Sequence, residues 1–428
     1  MQKERVSKLE TQHQRLHVEP GRLVGSVTLG GAKNSALRLL AASILTDHAL
    51  CLTNYPADLL DAMIHVGMLR QLGKTVTIGS ADSIVITEDR SLDRRLRWDG
   101  RSIRNTLLIL GCLVARFGEG RVPLPGGCKL GERKHDIHVA ALQALGAEVW
   151  NEDEDLCAVA PNGLVGTDVH LRLRSTGATE NSILMATLAR GTTRIWNPHV
   201  RPEILDLIAM LRSMGAEITV FGQQCIEVTG REGLGGAQHR IMPDNMEAIT
   251  WLIASVITGG DIEIFDFPAA DLEVVMAHLR AAGAQVYEGE TSVIVRGGKS
   301  YPLEVSTGPH PGINSDVQPL LAAWAAQARG ESRIIDLRFP GRYDYLAEFT
   351  RMGVQHEIKG DMLVINGMGG GLKGATVRAL DLRAGAALAL NALTATGETE
   401  IEDAWQIARG YVKFAEKLTS LGARCHWS

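Results

Sequence analysis

The chain has 428 residues, enough for two domains or more, and its 45% hydrophobic residues can build substantial cores. A net charge of −5 argues against a general polyanion-binding role while leaving room for a local basic pocket. The polar start, Met1 to Arg15, lacks a signal-peptide core, and no apolar run approaches ~18 residues without a charge or turn. The six cysteines show no paired metal-type spacing, so the expectation is a cytoplasmic protein with reduced thiols, no membrane segment and no metal.

From the N-terminus, Gly30-Gly31-Ala32-Lys33-Asn34 precedes an apolar stretch, and the next helical pattern ends in Met-Leu-Arg-Gln-Leu-Gly73 before a strand-like run. The same ending returns at Gly146, Gly215, Gly283, Gly353 and Gly422, at spacings of 73, 69, 68, 70 and 69 residues. A period of about 70 exceeds the usual solenoid unit of ~20–50 and suits a small βα-rich subdomain. Within the units, the segments ending at Trp196, Phe265, Ile335 and Ile401 predict strands by their β-branched residues. Pro202 to Leu211 and Asp271 to Ala281 carry apolar residues at helical spacing. The predicted fold is therefore α/β, in six βα-rich repeats of about 70 residues, divided three and three.

Superposing the units brings two families of positions into register. The starts of the first helices give Lys33-Asn34, Arg104, Ser175-Thr176-Gly177, Asp244, Asp316 and Arg383. The strand-to-helix loops give Arg133, Arg342 and Arg409, and the second loop, Leu124-Pro-Gly-Gly-Cys128-Lys-Leu-Gly-Glu-Arg133-Lys134-His135-Asp136, is the longest and alone holds a cysteine. Any single arginine is more often a solvated surface residue. Recurrence at element starts instead suits a small anion with several negative groups, because forked guanidinium donors and helix N-termini clamp phosphate and carboxylate together. An inert thiol is the expectation for five of the cysteines, whereas Lys129 and Arg133 near Cys128 would stabilise a reactive thiolate. A six-repeat ring encircling DNA would carry basic residues along its lining helices rather than at element starts, so no nucleic-acid partner is expected. A catalytically silent binding protein is the remaining alternative of a different class.

Gly-Gly-Ala-Lys33-Asn34-Ser-Ala-Leu, the Cys128 loop through Arg133, Ser175-Thr-Gly-Ala-Thr-Glu-Asn, Pro309-His-Pro-Gly-Ile-Asn-Ser-Asp316, Asp381-Leu-Arg383 and Arg409-Gly-Tyr411 together resemble the UDP-N-acetylglucosamine 1-carboxyvinyltransferases, which are enolpyruvyl transferases. The resemblance spans nearly the whole chain, in order. It implies a two-domain inside-out α/β barrel, with residues 33–242 as one domain and residues 1–32 plus 243–428 as the other. It also implies two small-molecule substrates, phosphoenolpyruvate and a uridine nucleotide sugar, with no cofactor, and a place in peptidoglycan synthesis. Lys33, Asn34, Arg133, Arg342, Arg383 and Arg409 would contact phosphoenolpyruvate; Lys33 and Arg409 also count with Cys128 and Asp316 as catalytic. Cys128 would be the acid at C3, and Asp316 would take the acceptor's proton. Arg104, Lys134, His135, Asp136, Ile137, Ser175, Thr176, Gly177, Asp316 and Arg338 would line the acceptor side.

Departures from the family pattern gather on that side. Ser35-Ala-Leu-Arg38 stands where the family usually has Ala-Ala-Leu-Pro, Arg133-Lys134-His135-Asp136 replaces Arg-Pro-aliphatic-Asp, and Ala57-Asp58-Leu59 replaces a basic run. Pro340-Gly341-Arg342 and Ile313-Asn314-Ser315-Asp316 differ likewise. Transfer to another nucleotide, such as uridine monophosphate, is therefore the alternative within the same chemistry. The shikimate-phosphate enolpyruvyl transferases share the implied fold but lack the cysteine loop, so Cys128 counts against that substrate.

Overall fold

Six helices, Lys33–Ala42, Thr106–Phe117, Thr176–Ala186, Asn245–Ile257, Gln318–Gln327 and Leu382–Ala392, are buried along most of their lengths. Their sequences explain this: they are rich in Ala, Leu and Ile with few charges, and a helix that is apolar on most sides finds its place inside a core. The computed structural model describes residues 14–79, 82–101, 103–124 and 135–428.

A second set, Leu60–Leu72, Asp136–Ala144, Pro202–Ser213, Glu273–Ala281, Leu346–Arg351 and Phe414–Ser420, precedes the six periodic glycines. Gly73, Gly146, Gly215, Gly283, Gly353 and Gly422 all have φ between 92° and 117°. That left-handed turn reverses the chain into the next strand, and a side chain there would be strained, which is why glycine marks the period. The helix expected from Asp271 begins at Glu273 because Ala269–Asp271 forms a 3-10 turn ahead of it, and the helix from Pro202 continues past Leu211 to Ser213.

The described residues form five four-stranded sheets and one of three strands. The three-stranded sheet has a parallel bridge, Arg95 to Arg121, at its free edge. Strand Ala237–Arg240 runs parallel to Leu50–Thr53, so the end of the stretch 33–242 returns to its beginning. Arg15–Val18 lies antiparallel between Thr399–Glu402 and Cys425–Trp427, while Val24–Thr28 pairs in parallel with Asp261–Phe265.

Buried apolar side chains gather in two clusters, one drawn from residues 36–241 and the other from 16–29 together with 246–423. The chain crosses between them twice, side by side. Gly31 bridges Pro243, the Ala32 amide donates to the Met242 carbonyl at 2.8 Å, and the Asp244 amide donates to the Gly30 carbonyl at 2.9 Å. No helix of the described residues is long and apolar enough to cross a membrane.

Candidate active site in the cleft

Between the two clusters lies a cleft of about 1690 Å³, lined at the start of every one of the six buried helices. Helix N-termini present unpaired amides and the positive end of the dipole, so this arrangement aims six favourable anion-binding ends at one space. Three starts are fixed by carboxylate or hydroxyl caps. Asp244 accepts from the Met246 and Glu247 amides at 2.8 and 3.0 Å, Asp381 from Arg383 and Ala384 at 2.7 and 2.9 Å, and Ser175 Oγ from Ala178 at 3.4 Å.

Four cations converge in one part of the cleft. Lys33 Nζ lies 2.5 Å from Asp61 Oδ2, and Arg409 Nε donates to Asp61 Oδ1 at 3.2 Å, so one buried carboxylate holds two cations from residues far apart in sequence. Burial pushes the Asp61 carboxyl upward, but Lys33 and Arg409 outweigh it and hold it below the usual carboxylate range. Burial depresses Lys33, Asp61 pulls the other way, and Arg409 adds to the depression. Arg342 donates to Asp316 Oδ1 at 3.2 Å and to Asp381 Oδ2 at 3.1 Å. Arg383 is 2% exposed, its guanidinium lies 5.0 Å from the Tyr411 ring centroid, and its Nε and Nη1 have no hydrogen-bond partner. A buried guanidinium with idle donors is destabilising on its own and well suited to an incoming anion.

The opposite part of the cleft is built around the turn Ser175-Thr176-Gly177. His199 accepts from the His310 amide at Nε2, at 3.1 Å, and meets Thr176 Oγ1 through Nδ1 at 2.9 Å. The proton therefore sits on Nδ1, and the imidazole ties the 175–177 turn to the loop ahead of Asp316. Burial and the neighbouring Arg201 push His199 down to about 4, which keeps the ring neutral and the acceptor nitrogen available. His138, at 3.1 Å from where a Gly177 Cβ would sit, is pushed down to about 3 by burial and Arg104.

Of the residues singled out from the sequence, Lys33, Asn34, Arg104, Asp136, Ile137, Ser175, Thr176, Gly177, Asp316, Arg338, Arg342 and Arg409 line the cleft. Arg383 sits just behind the surface formed by Leu382 and Ala384. His135 precedes the helix Asp136–Ala144 without capping it through its side chain, and Asp136 is paired with Arg172. Cys128, Arg133 and Lys134 lie outside the described residues. Among the other thiols, Cys112, Cys157 and Cys225 are buried while Cys51 and Cys425 are half-buried. Sequence reasoning passed over Asp61, His199 and Glu180. A signal existed for Asp61, a lone acid in the apolar run Leu-Leu-Asp-Ala-Met, where an acid is retained only if it is paired.

The family model described as EPSP synthase (3-phosphoshikimate 1-carboxyvinyltransferase) matches residues 18–418. UDP-N-acetylglucosamine 1-carboxyvinyltransferase 2 of Mesorhizobium japonicum is 40% identical over 414 residues, covering 96% of this chain and 98% of that one. The enzyme of the same name from Carboxydothermus hydrogenoformans is 39% identical, covering 94% and 96%. Among solved structures, the enolpyruvyl transferase NikO from Streptomyces tendae superposes with a TM-score of 0.87 at 25% identity, over 97% of this chain and 99% of that one.

Proposed function

The chain belongs to the EPSP synthase family of enolpyruvyl transferases, and from that premise we propose that it transfers the enolpyruvyl group of phosphoenolpyruvate to the 3-hydroxyl of UDP-N-acetylglucosamine, releasing phosphate. On this reading it is a cytoplasmic enzyme of peptidoglycan precursor synthesis. The observation that carries the proposal is a group of four cations, two held by Asp61 and one by Asp316 and Asp381 in the cleft, and one buried just behind its wall with idle donors. Phosphoenolpyruvate offers a phosphate and a carboxylate on one small carbon frame, the two groups such an array satisfies.

The reaction asks for a proton to be added to C3 of phosphoenolpyruvate as the acceptor oxygen bonds to C2. One of the C3 protons is then lost as the C2–O bond to phosphate breaks, leaving the enolpyruvyl ether and a phosphate that carries off the acceptor's proton. In our reading Cys128 supplies and recovers the C3 proton, and Asp316 takes the proton of the acceptor hydroxyl. Lys33, Arg133 and Arg409 hold the phosphate, Arg342 and Arg383 the carboxylate. Fixed cations stabilise the charge that builds on the departing phosphate without reorganising. The ion pair of Arg342 with Asp316 has a further consequence: a carboxylate arriving on Arg342 competes for the guanidinium and leaves Asp316 freer to accept a proton. The six-repeat inside-out architecture and the division at residues 32 and 243 belong to the same reading, supported by the two hydrophobic clusters and the paired crossing.

The test is phosphate release from phosphoenolpyruvate with UDP-N-acetylglucosamine and uridine monophosphate as rival acceptors, with the product identified by mass. A specificity constant for the nucleotide sugar above that for the monophosphate is expected. One about a hundredfold below it, roughly 2.7 kcal/mol in transition-state binding, would move the assignment to the smaller acceptor. The Cys128→Ser enzyme should lose turnover and escape labelling by an epoxide phosphonate of the fosfomycin type; an adduct on any other cysteine would contradict the role given to Cys128.

A further inference from the structure

One buried ion pair in the cleft wall has no part in the chemistry above. Arg38, on the helix Lys33–Ala42, donates from Nε to Glu180 Oε1 at 2.7 Å on the helix Thr176–Ala186, and from Nη1 to Asn34 Oδ1 at 3.5 Å. The side chains are 14% and 1% exposed, and both residues line the cleft. Glu180 Oε2 is buried and has no hydrogen-bond partner. Removing two charges from water is seldom repaid by their mutual attraction, and a carboxylate left half satisfied adds a further penalty. Replacing such a pair by apolar side chains is often neutral or stabilising.

A buried polar pair that the fold leaves incomplete, on the wall of a binding cleft, is a mark of ligand recognition. Its chemistry narrows the ligand. The guanidinium is compensated by the carboxylate, so the pair carries no net attraction for phosphate. It offers nitrogen donors beside a carboxyl acceptor, the complement of adjacent sugar hydroxyls or of an acylamino group with its N–H and C=O. Arg38 lies one helical turn inward from Asn34, and Glu180 one turn inward from Thr176 and Gly177, which puts the pair between the two proposed substrate subsites.

We infer that Arg38 and Glu180 recognise the neutral, hydroxyl- and amide-bearing part of the acceptor, and thereby select a nucleotide sugar over the bare nucleotide. This rests on the enolpyruvyl-transfer reading of the same cleft.

Calorimetric titration of the full chain with UDP and with UDP-N-acetylglucosamine separates the sugar's contribution from that of the nucleotide. The wild-type protein should bind the sugar nucleotide more tightly than UDP. Arg38→Ala and Glu180→Gln should weaken the sugar nucleotide about tenfold or more, leave UDP and phosphoenolpyruvate within about twofold, and be partly rescued by Arg38→Lys in the first case. Melting curves identify a variant that fails to fold, and the Arg38→Lys and Glu180→Gln proteins then carry the comparison. Equal weakening of UDP and its sugar conjugate, or no weakening of either, would return the pair to a structural role. A wild-type protein that gains nothing from the sugar overturns the inference alone, since enolpyruvyl transfer to another nucleotide would stand. A protein that binds no uridine nucleotide and releases no phosphate with one overturns the functional reading as well.

Discussion

Arg383 shows the tension between binding and stability at the level of one side chain. Its Nε and Nη1 are buried and idle, but Asp244, Asp316 and Tyr411 compensate its charge, so Arg383→Ala removes an anchor for the anion and also empties a buried space. Affinity for phosphoenolpyruvate should fall by roughly 1.5–3 kcal/mol, and the cavity should lower the melting temperature while leaving the protein folded. A large drop in melting temperature with unchanged affinity would make the residue structural. His65 gives a different kind of expectation. It is fully buried, Nε2 has no partner, and burial with the nearby Arg38 pushes it down to about 3. The unfolded chain takes up a proton near pH 6.5 that the folded chain refuses, so this residue's contribution to stability is intact above that value and declines as pH falls toward about 3. Melting temperatures across that window should decline less steeply in His65→Asn than in the wild type, and parallel slopes would exclude His65 as a source of acid sensitivity. Much of the candidate site was legible at this scale because its cations recur in register: Lys33, Arg342, Arg383 and Arg409 stand at repeated element starts. Glu180 and His199 have no counterparts in register, and although Asp61 does, in Glu203 and Asp271 at the same distance before Gly215 and Gly283, the partners of the three, at Arg38, at His310 and Thr176, and at Lys33 and Arg409, come from remote segments that no local pattern connects.

At the scale of elements, the periodic glycines and the crossing glycine make opposite demands. The six periodic positions need a left-handed turn, and a Cβ at Gly146 would meet nothing within 4 Å. Gly146→Ala should therefore show strain alone, about 1 kcal/mol. A Cβ at Gly31 would lie 1.8 Å from the Asn54 carbonyl oxygen. Gly31→Ala must displace either the crossing or the Asn54 loop, and should destabilise by about 3 kcal/mol and disturb Lys33 two residues on; denaturant melts of the two variants compare them directly. Similar values would mean that the crossing yields more readily than its geometry suggests. The periodic endings and the alternation of helix and strand were readable because glycine, β-branching and apolar spacing act locally. The family resemblance grouped residues 1–32 with 243–428, but the strands that flank Arg15–Val18 and their register were not readable, since register between remote strands depends on the surrounding core.

Across the whole molecule, the side-by-side crossing gives the two hydrophobic clusters unequal relations to the chain. One is assembled from a continuous stretch whose ends meet, so a fragment of residues 33–242 should fold by itself, with native-like circular dichroism and a cooperative melt. A fragment of residues 243–428 lacks the strands Arg15–Val18 and Val24–Thr28, which lie inside or complete its sheets, and should fold only when a peptide carrying residues 14–29 is supplied. The reverse result would show that the continuous stretch depends on its neighbour. The same topology bears on how the protein emerges from the ribosome. Strand Arg15–Val18 is made well ahead of both its neighbours, which lie beyond residue 398, so it waits roughly 20–80 s for them at elongation of ~5–20 residues per second. Throughout that interval an unpaired strand edge is exposed while the continuous half is already able to close, which makes this strand the point where chaperone binding or mispairing with another copy is decided.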